Sequence, residues 1–312
     1  MKTTQQKKPE EDHPLLGRYV NYLRKDRGLA ENSVLVYKSY VRQLLADERV
    51  KTGVVSAQAF DATTLRNFLL DRSRGRSGEY VRLLAVALRS FLRFLFLSGE
   101  LPTDLSAAVP AVCKPQRSVA PAFLSADEME RIISAADGST RTSHRNRAVL
   151  LLLARLGLRA GEVVLLELDD LHWRTGEITI HGKGRLTERL PLPSDVGEAL
   201  ARYLREDRPR ADSRRVFQRE YAPYEGFAGP AAVGHIVRAA LARAGVQRSG
   251  RGAAHLFRHG LATKMIRRGA TLPEISEVLR HRSLNTTAVY AQVSFEDLRR
   301  VAAPWPFSGG AQ

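Results

Sequence analysis

Only one cysteine, Cys113, occurs in the 312 residues. No disulfide can close within the chain, which excludes a disulfide-stapled secreted scaffold. The first residues, MKTTQQKKPEEDH, lack the apolar stretch of a secretory signal. A reducing cytoplasm is therefore the expected location. No apolar run approaches the roughly 18 residues that cross a bilayer, and even FLRFLFLSG is broken by Arg93, so no membrane partner is expected. Negative charge is also scarce: 33 acidic residues stand against 49 basic ones, for a formal charge of +16. Such a field favours a polyanion over an acidic small molecule, with nucleic acid first and association with the nucleoid following from it.

The positive charge is spread. Residues 1–110 carry 18 basic and 12 acidic side chains, and residues 111–312 carry 31 and 21. Two basic globular regions suggest a clamp around a duplex, whereas a single basic tail would suggest a tether. At roughly 150 residues per domain the length also fits two domains.

Apolar periodicity divides the chain in the same way. Leu16, Tyr19, Val20 and Leu23 form one helical face, and similar faces run through Val34 to Leu45, Leu65 to Leu69, and Tyr80 to Leu95. A polar leader at 1–13 thus precedes a four-helix domain at 14–100. Pro102, Pro110, Pro115 and Pro121 then mark an extended linker at 101–121. Ser125 and Glu128 form a capping-box signature that opens a second domain, 122–303. Within it Gly157 ends one helix and another begins near Ala160, leaving Arg159 at the junction. The period changes to two around Ile178, Ile180, Leu190 and Leu192, with HGKG between, which predicts a hairpin with Lys183 at its tip. Helical patterns follow at 195–206, 230–244, 255–268, 272–279 and from about Thr286 onward.

Motifs for nucleotide or metal chemistry are missing. Gly176 to Lys183 has five residues between its glycines, and Gly184 stands where a Walker A loop needs Ser or Thr. ATP-driven action is not expected. His255 and His259 have the spacing of a helical metal pair, but no glutamate stands between them and no cysteine is near. No metal or other cofactor is expected.

What is present is a set of blocks: LGLRAGE at 156–162, HGKG at 181–184, HLFRHGLAT at 255–263 and LRHRSLNTTAVY at 279–290. Together they resemble the tyrosine recombinases, the phage integrase and Xer-type family. Carried over residue by residue, the family's active-site positions fall on Arg159, Lys183, His255, Arg258, His281 and the nucleophile Tyr290, with Glu162 in support, capping or orienting the arginines. The interval from His281 to Tyr290 is nine residues, as in the family pattern, and six positions in family order span about 130 residues. Two departures are visible: Gly260 follows His259 where Thr or Ser is usual, and LRH replaces LGH, so Arg280 is expected to reshape the turn before His281.

The resemblance implies a mainly α fold with a small β-hairpin sheet. An N-terminal four-helix (SAM-like) core-binding domain would join an α/β tyrosine recombinase catalytic domain. It implies a site-specific recombinase that cuts and rejoins double-stranded DNA through a 3′-phosphotyrosine, working as a tetramer on DNA, of one chain or paired with a related recombinase. The tail 294–312, with Phe295, Leu298, Val301, Trp305 and Phe307, carries apolar surface that needs a pocket: it either folds back on its own domain or, as the resemblance implies, docks into a neighbouring protomer.

Physical chemistry supports each role separately. A phenol with an ordinary pKa near 10 must lose a proton to attack phosphorus, and an imidazole can take it. Arginine forks match phosphate oxygens, whereas lysine can release a proton to a departing 5′ oxygen. After position 110 the only lysines are Lys114, Lys183 and Lys264, so a lysine in HGKG stands out in an arginine-rich chain. Two rival readings are a non-catalytic DNA-binding architectural or regulatory protein on the same scaffold and a topoisomerase-like relaxase of the same chemistry.

Overall fold

The computed structural model describes residues 13–47, 60–112, 123–138, 140–182, 187–247 and 252–281, together with Thr287 and Tyr290. The chain divides into two compact units, 1–118 and 119–312.

The first unit is built from four helices: α1 (Pro14–Lys25), α2 (Glu31–Leu45), α3 (Ala62–Ser73) and α4 (Gly78–Leu97). Pro14 opens α1, where its missing N–H costs nothing, and the His13 side chain accepts from the Leu15 N–H. Asp61 and Ser77 cap α3 and α4 through the N–H groups of Thr64 and Tyr80. Helix α4 packs against the other three, and its Phe91 and Phe94 lie 5.1 and 5.5 Å from the Tyr19 ring. Of the extended linker expected at 101–121, residues 101–112 are described, and they are not extended throughout. Leu105–Ala108 forms a 3-10 turn whose entry is held by Asp104, and Leu101 and Val109 are buried in the α4 core. Prolines suppressed an α-helix here but not a short turn, because Arg89 donates twice to the Val109 carbonyl, at 3.2 and 3.1 Å.

The second unit begins with α5 (Ala126–Ser134). Its capping box pairs the Glu128 N–H with Ser125 Oγ at 3.1 Å and the Ser125 N–H with Glu128 Oε2 at 2.8 Å. Helix α6 (Ser143–Arg155) is buried continuously from Ala148 to Ala154, the pattern of a helix at the centre of a core. It packs against α5, α8 (Ser194–Glu206), α9 (Pro230–Arg243) and α10 (Ala253–Arg267). The short α7 (Ala160–Leu165) and α11 (Leu272–Val278) lie against α9 and α10 respectively. The sheet is antiparallel in the order β1 (Leu171–His172), β2 (Glu177–His181), β3 (Thr187–Pro191), with Ile178 opposite Leu190 and His181 opposite Thr187. The alternating pattern signalled the hairpin; β1 is two residues long and carries no periodicity to read. None of the described helices is long and apolar enough to cross a membrane.

Helix α10 comes so close to the start of α5 that a Cβ at Gly260 would lie 2.6 Å from the Leu124 carbonyl oxygen and 3.2 Å from Met129 Sδ. This contact accounts for glycine where the family pattern has Thr or Ser. Gly260→Ala gains about 1 kcal/mol of helix propensity but meets a backbone atom that cannot swing away, so a net loss of about 1–2 kcal/mol is expected in denaturant unfolding. An unchanged unfolding midpoint would contradict this packing.

Candidate active site

Spacing on α10 puts His255, Arg258 and His259 at i, i+3 and i+4, on one helix face. Arg258 is 3% exposed. Its Nη1 donates to the Gly157 carbonyl at 2.6 Å, and its Nη2 donates to the Leu279 carbonyl. Gly157 has φ +58, and a Cβ there would meet methyl groups of Leu279 and Leu261 at 2.9 and 3.0 Å. Only glycine lets the chain turn between α6 and α7 this close to α11, which brings its carbonyl to Arg258. A guanidinium carries five N–H groups, so Arg258 keeps hydrogens to offer after both bonds.

Arg159 is the residue before α7, and Glu162 closes a reciprocal cap around it. Glu162 Oε2 accepts the Arg159 backbone N–H at 2.8 Å, and Oε1 accepts Arg159 Nη1 at 2.6 Å. Arg280 Nη2 donates to Glu162 Oε2 at 3.0 Å, and Arg159 Nη2 donates to the Arg280 carbonyl at 3.1 Å. Burial pushes the Glu162 carboxyl up, but the Arg159 N–H and the Arg280 and Arg159 guanidiniums outweigh it and hold the pKa below the usual carboxylate range. Burial, then the charges of Arg159 and Arg280, pull Arg258 down to about 9, so it is still a cation at neutral pH.

Tyr290 is 2% exposed, and its hydroxyl lies 2.7 Å from His259 Nδ1. The His281 ring stacks on it at 6.3 Å and within 5° of parallel, while His281 Nδ1 lies 2.8 Å from Thr287 Oγ1. Burial raises the Tyr290 pKa despite the opposing charges of Arg258 and Arg159, so the phenol is protonated at neutral pH. Loss of water, then Arg258, Arg159, His259 and Arg280, lower His281 to about 4. His255 is also lowered, by loss of water and by Arg258 and Arg159. The pocket thus combines cationic arginines, neutral imidazoles and a protonated phenol. Such a set can bind an oxyanion, accept a proton and supply a nucleophile.

Of the positions expected from sequence, Arg159, Glu162, His255, Arg258, His281 and Tyr290 gather here. Lys183 lies outside the described residues, in the connection between β2 and β3, and the tail from 291 onward lies outside them as well. The sequence reading missed the place of His259 beside Tyr290, having weighed it only as a metal ligand. Its signal was the shared helix face with His255 and Arg258.

The phage integrase family model matches residues 122–297, and the model of the phage integrase N-terminal SAM-like domain matches residues 16–99. The chain belongs to the phage integrase family. It is a tyrosine recombinase with a SAM-like N-terminal domain and a catalytic domain. It is 43% identical to y4rA of Sinorhizobium fredii, named as an integrase/recombinase, over 92% of this chain and 70% of that one. Tyrosine recombinase XerD of Lacticaseibacillus casei is 28% identical over 92% of this chain and 96% of its own. The fold is shared with a XerH site-specific recombinase bound to a palindromic difH substrate, with TM-score 0.70 and 21% identity, covering 93% of this chain and 84% of that one.

In this recombinase the neutral His281 has a consequence for stability. Its folded pKa of about 4 lies below the ordinary 6.5, so between those values the unfolded chain binds a proton that the folded chain does not. Its contribution is complete above about pH 6.5 and is lost as pH falls toward 4, with His255 acting in the same direction. The expected His281 midpoint, followed by NMR in the free protein, is near pH 4; a midpoint above 6 would contradict the cationic surroundings.

Proposed function

We propose that the chain cuts and rejoins specific double-stranded DNA sites with Tyr290 as the nucleophile. The observation that carries this reading is the Tyr290 hydroxyl placed 2.7 Å from His259 Nδ1 and beside the Arg159 and Arg258 group. The phenol oxygen attacks the scissile phosphorus, its proton passes to His259, and the bond from phosphorus to the 5′ oxygen breaks. Lys183 supplies the proton that the 5′ oxygen needs. The products are a 3′-phosphotyrosine and a free 5′-hydroxyl, and attack by another 5′-hydroxyl reverses the chemistry on a new strand. The free hydrogens of Arg159 and Arg258 meet the non-bridging oxygens, where negative charge builds in the transition state. The arginines supply this stabilisation themselves, so the reading assigns no metal and no ATP to the reaction.

The +16 charge favours DNA over other partners through contacts to the phosphate backbone. The XerH complex is on a palindromic site, and a palindrome matches two protomers related by a two-fold axis. Two such pairs, of this chain alone or with a related recombinase, would make a tetramer acting on two duplexes.

A nicked substrate that loses its short 5′-hydroxyl strand on cleavage traps the covalent intermediate. The wild-type chain is expected to form the adduct in the presence of EDTA, while Tyr290→Phe binds the same DNA within about threefold and forms none, because only the nucleophilic oxygen is removed. An adduct at normal yield from Tyr290→Phe would refute the assignment. A wild-type chain that binds but never links to DNA would favour the architectural reading.

A further inference from the structure

Arg280 occupies a backbone position that favours glycine. Helix α11 ends in a Schellman turn: the Arg280 N–H donates to the Glu277 carbonyl and the His281 N–H to the Ser276 carbonyl, both at 2.9 Å. The residue between these bonds takes the left-handed conformation, and Arg280 has φ +54, the one positive φ among the described non-glycine residues. A side chain there costs about 1–2 kcal/mol. A second cost is visible at the same residue. Its side chain is 6% exposed, and Nε makes no hydrogen bond among the described residues, the nearest ion-pair partner being Glu188 Oε2 on β3 at 3.8 Å.

These two costs fall on a residue that is tied to Arg159 in two ways, once by its side chain and once by its backbone. The guanidinium shares Glu162 with Arg159, and the Arg280 carbonyl accepts Arg159 Nη2. Two further bonds, to the Leu156 carbonyl at the end of α6 and the Val278 carbonyl at the end of α11, at 3.4 and 3.3 Å, hold the guanidinium between the two helix ends. We propose that Arg280 is a positioning residue of the strand-transfer site, fixing Glu162 and through it the orientation of Arg159 toward the scissile phosphate. This rests on the catalytic reading above. Local strain concentrated in a buried, doubly tied residue beside the reacting groups is what such a role produces. A residue serving only to end α11 would be glycine at lower cost.

The test uses the full chain, the trapping substrate and the variants R280G, R280K, R159A and R159A/R280G. Glycine relieves the left-handed strain and keeps the carbonyl that holds Arg159, so R280G isolates the guanidinium. It is expected to bind DNA within about threefold of wild type but to form adduct at least about tenfold more slowly, a loss in the chemical step alone. R280K, which restores a charge beside Glu162 without the fork, is expected to recover part of the rate. Because Arg280 acts through Arg159, R159A/R280G is expected to be no slower than R159A. R280G cleaving at the wild-type rate, or losses that multiply in the double variant, would overturn the inference. Should melting show R280G unfolded at the assay temperature, R280K decides, and a wild-type rate there overturns it too. A wild-type chain that forms no adduct overturns the catalytic reading and this inference with it.

Discussion

One buried carboxylate organises the catalytic unit. Glu162 is 5% exposed and sits between the guanidiniums of Arg159 and Arg280. Through Arg159 it fixes the start of α7, and through Arg280 it fixes the turn that delivers His281. Taking such charges out of water costs several kcal/mol per ion, and the cost is offset only where the hydrogen bonds are nearly complete. Both Glu162 oxygens are used, and Arg159 and Arg258 spend part of their donor sets on backbone carbonyls. These bonds fix the guanidiniums in place, which on the proposed reading leaves little reorganisation for the moment of reaction.

Loss of water, with the charges of Arg159, Arg258 and Arg280 added to it, sets the protonation of the site. Loss of water first, then the excess positive charge, keeps His281 and His255 neutral, and that charge makes an oxyanion the species the site attracts. At rest the phenol of Tyr290 is protonated and buried. An incoming phosphodiester brings the negative charge that the pocket lacks. On the proposed reading, its arrival would oppose the field of the arginines and raise the proton affinity of the neighbouring imidazoles, so that presenting phosphorus would favour removal of the proton from Tyr290.

Much of this was legible in the sequence because it depends on local patterns. Apolar spacing located the helices of both units, Ser125 and Glu128 marked the start of α5, and Gly157 placed Arg159 at a helix junction. Other features depend on contacts between distant segments. Nothing near residue 260 announces that Leu124 will press against it, and the turn at Leu105–Ala108 is held by Arg89 on another helix. His259 was visible as a member of the α10 face, but its partner lies 31 residues away. Arg280 was marked as a departure from LGH, and its link to Glu162 spans 118 residues. Strand β1 is too short to have a period at all.

The arrangement of the site depends on Glu162, and the most direct measurement replaces its charge alone. Glu162→Gln keeps the shape and one acceptor but leaves Arg159 and Arg280 without their shared counter-ion. DNA binding within about threefold of wild type, combined with adduct formation at least about tenfold slower in a chain shown to be folded by its melting curve, is the predicted result. A folded Glu162→Gln chain that forms the adduct at the wild-type rate would contradict it.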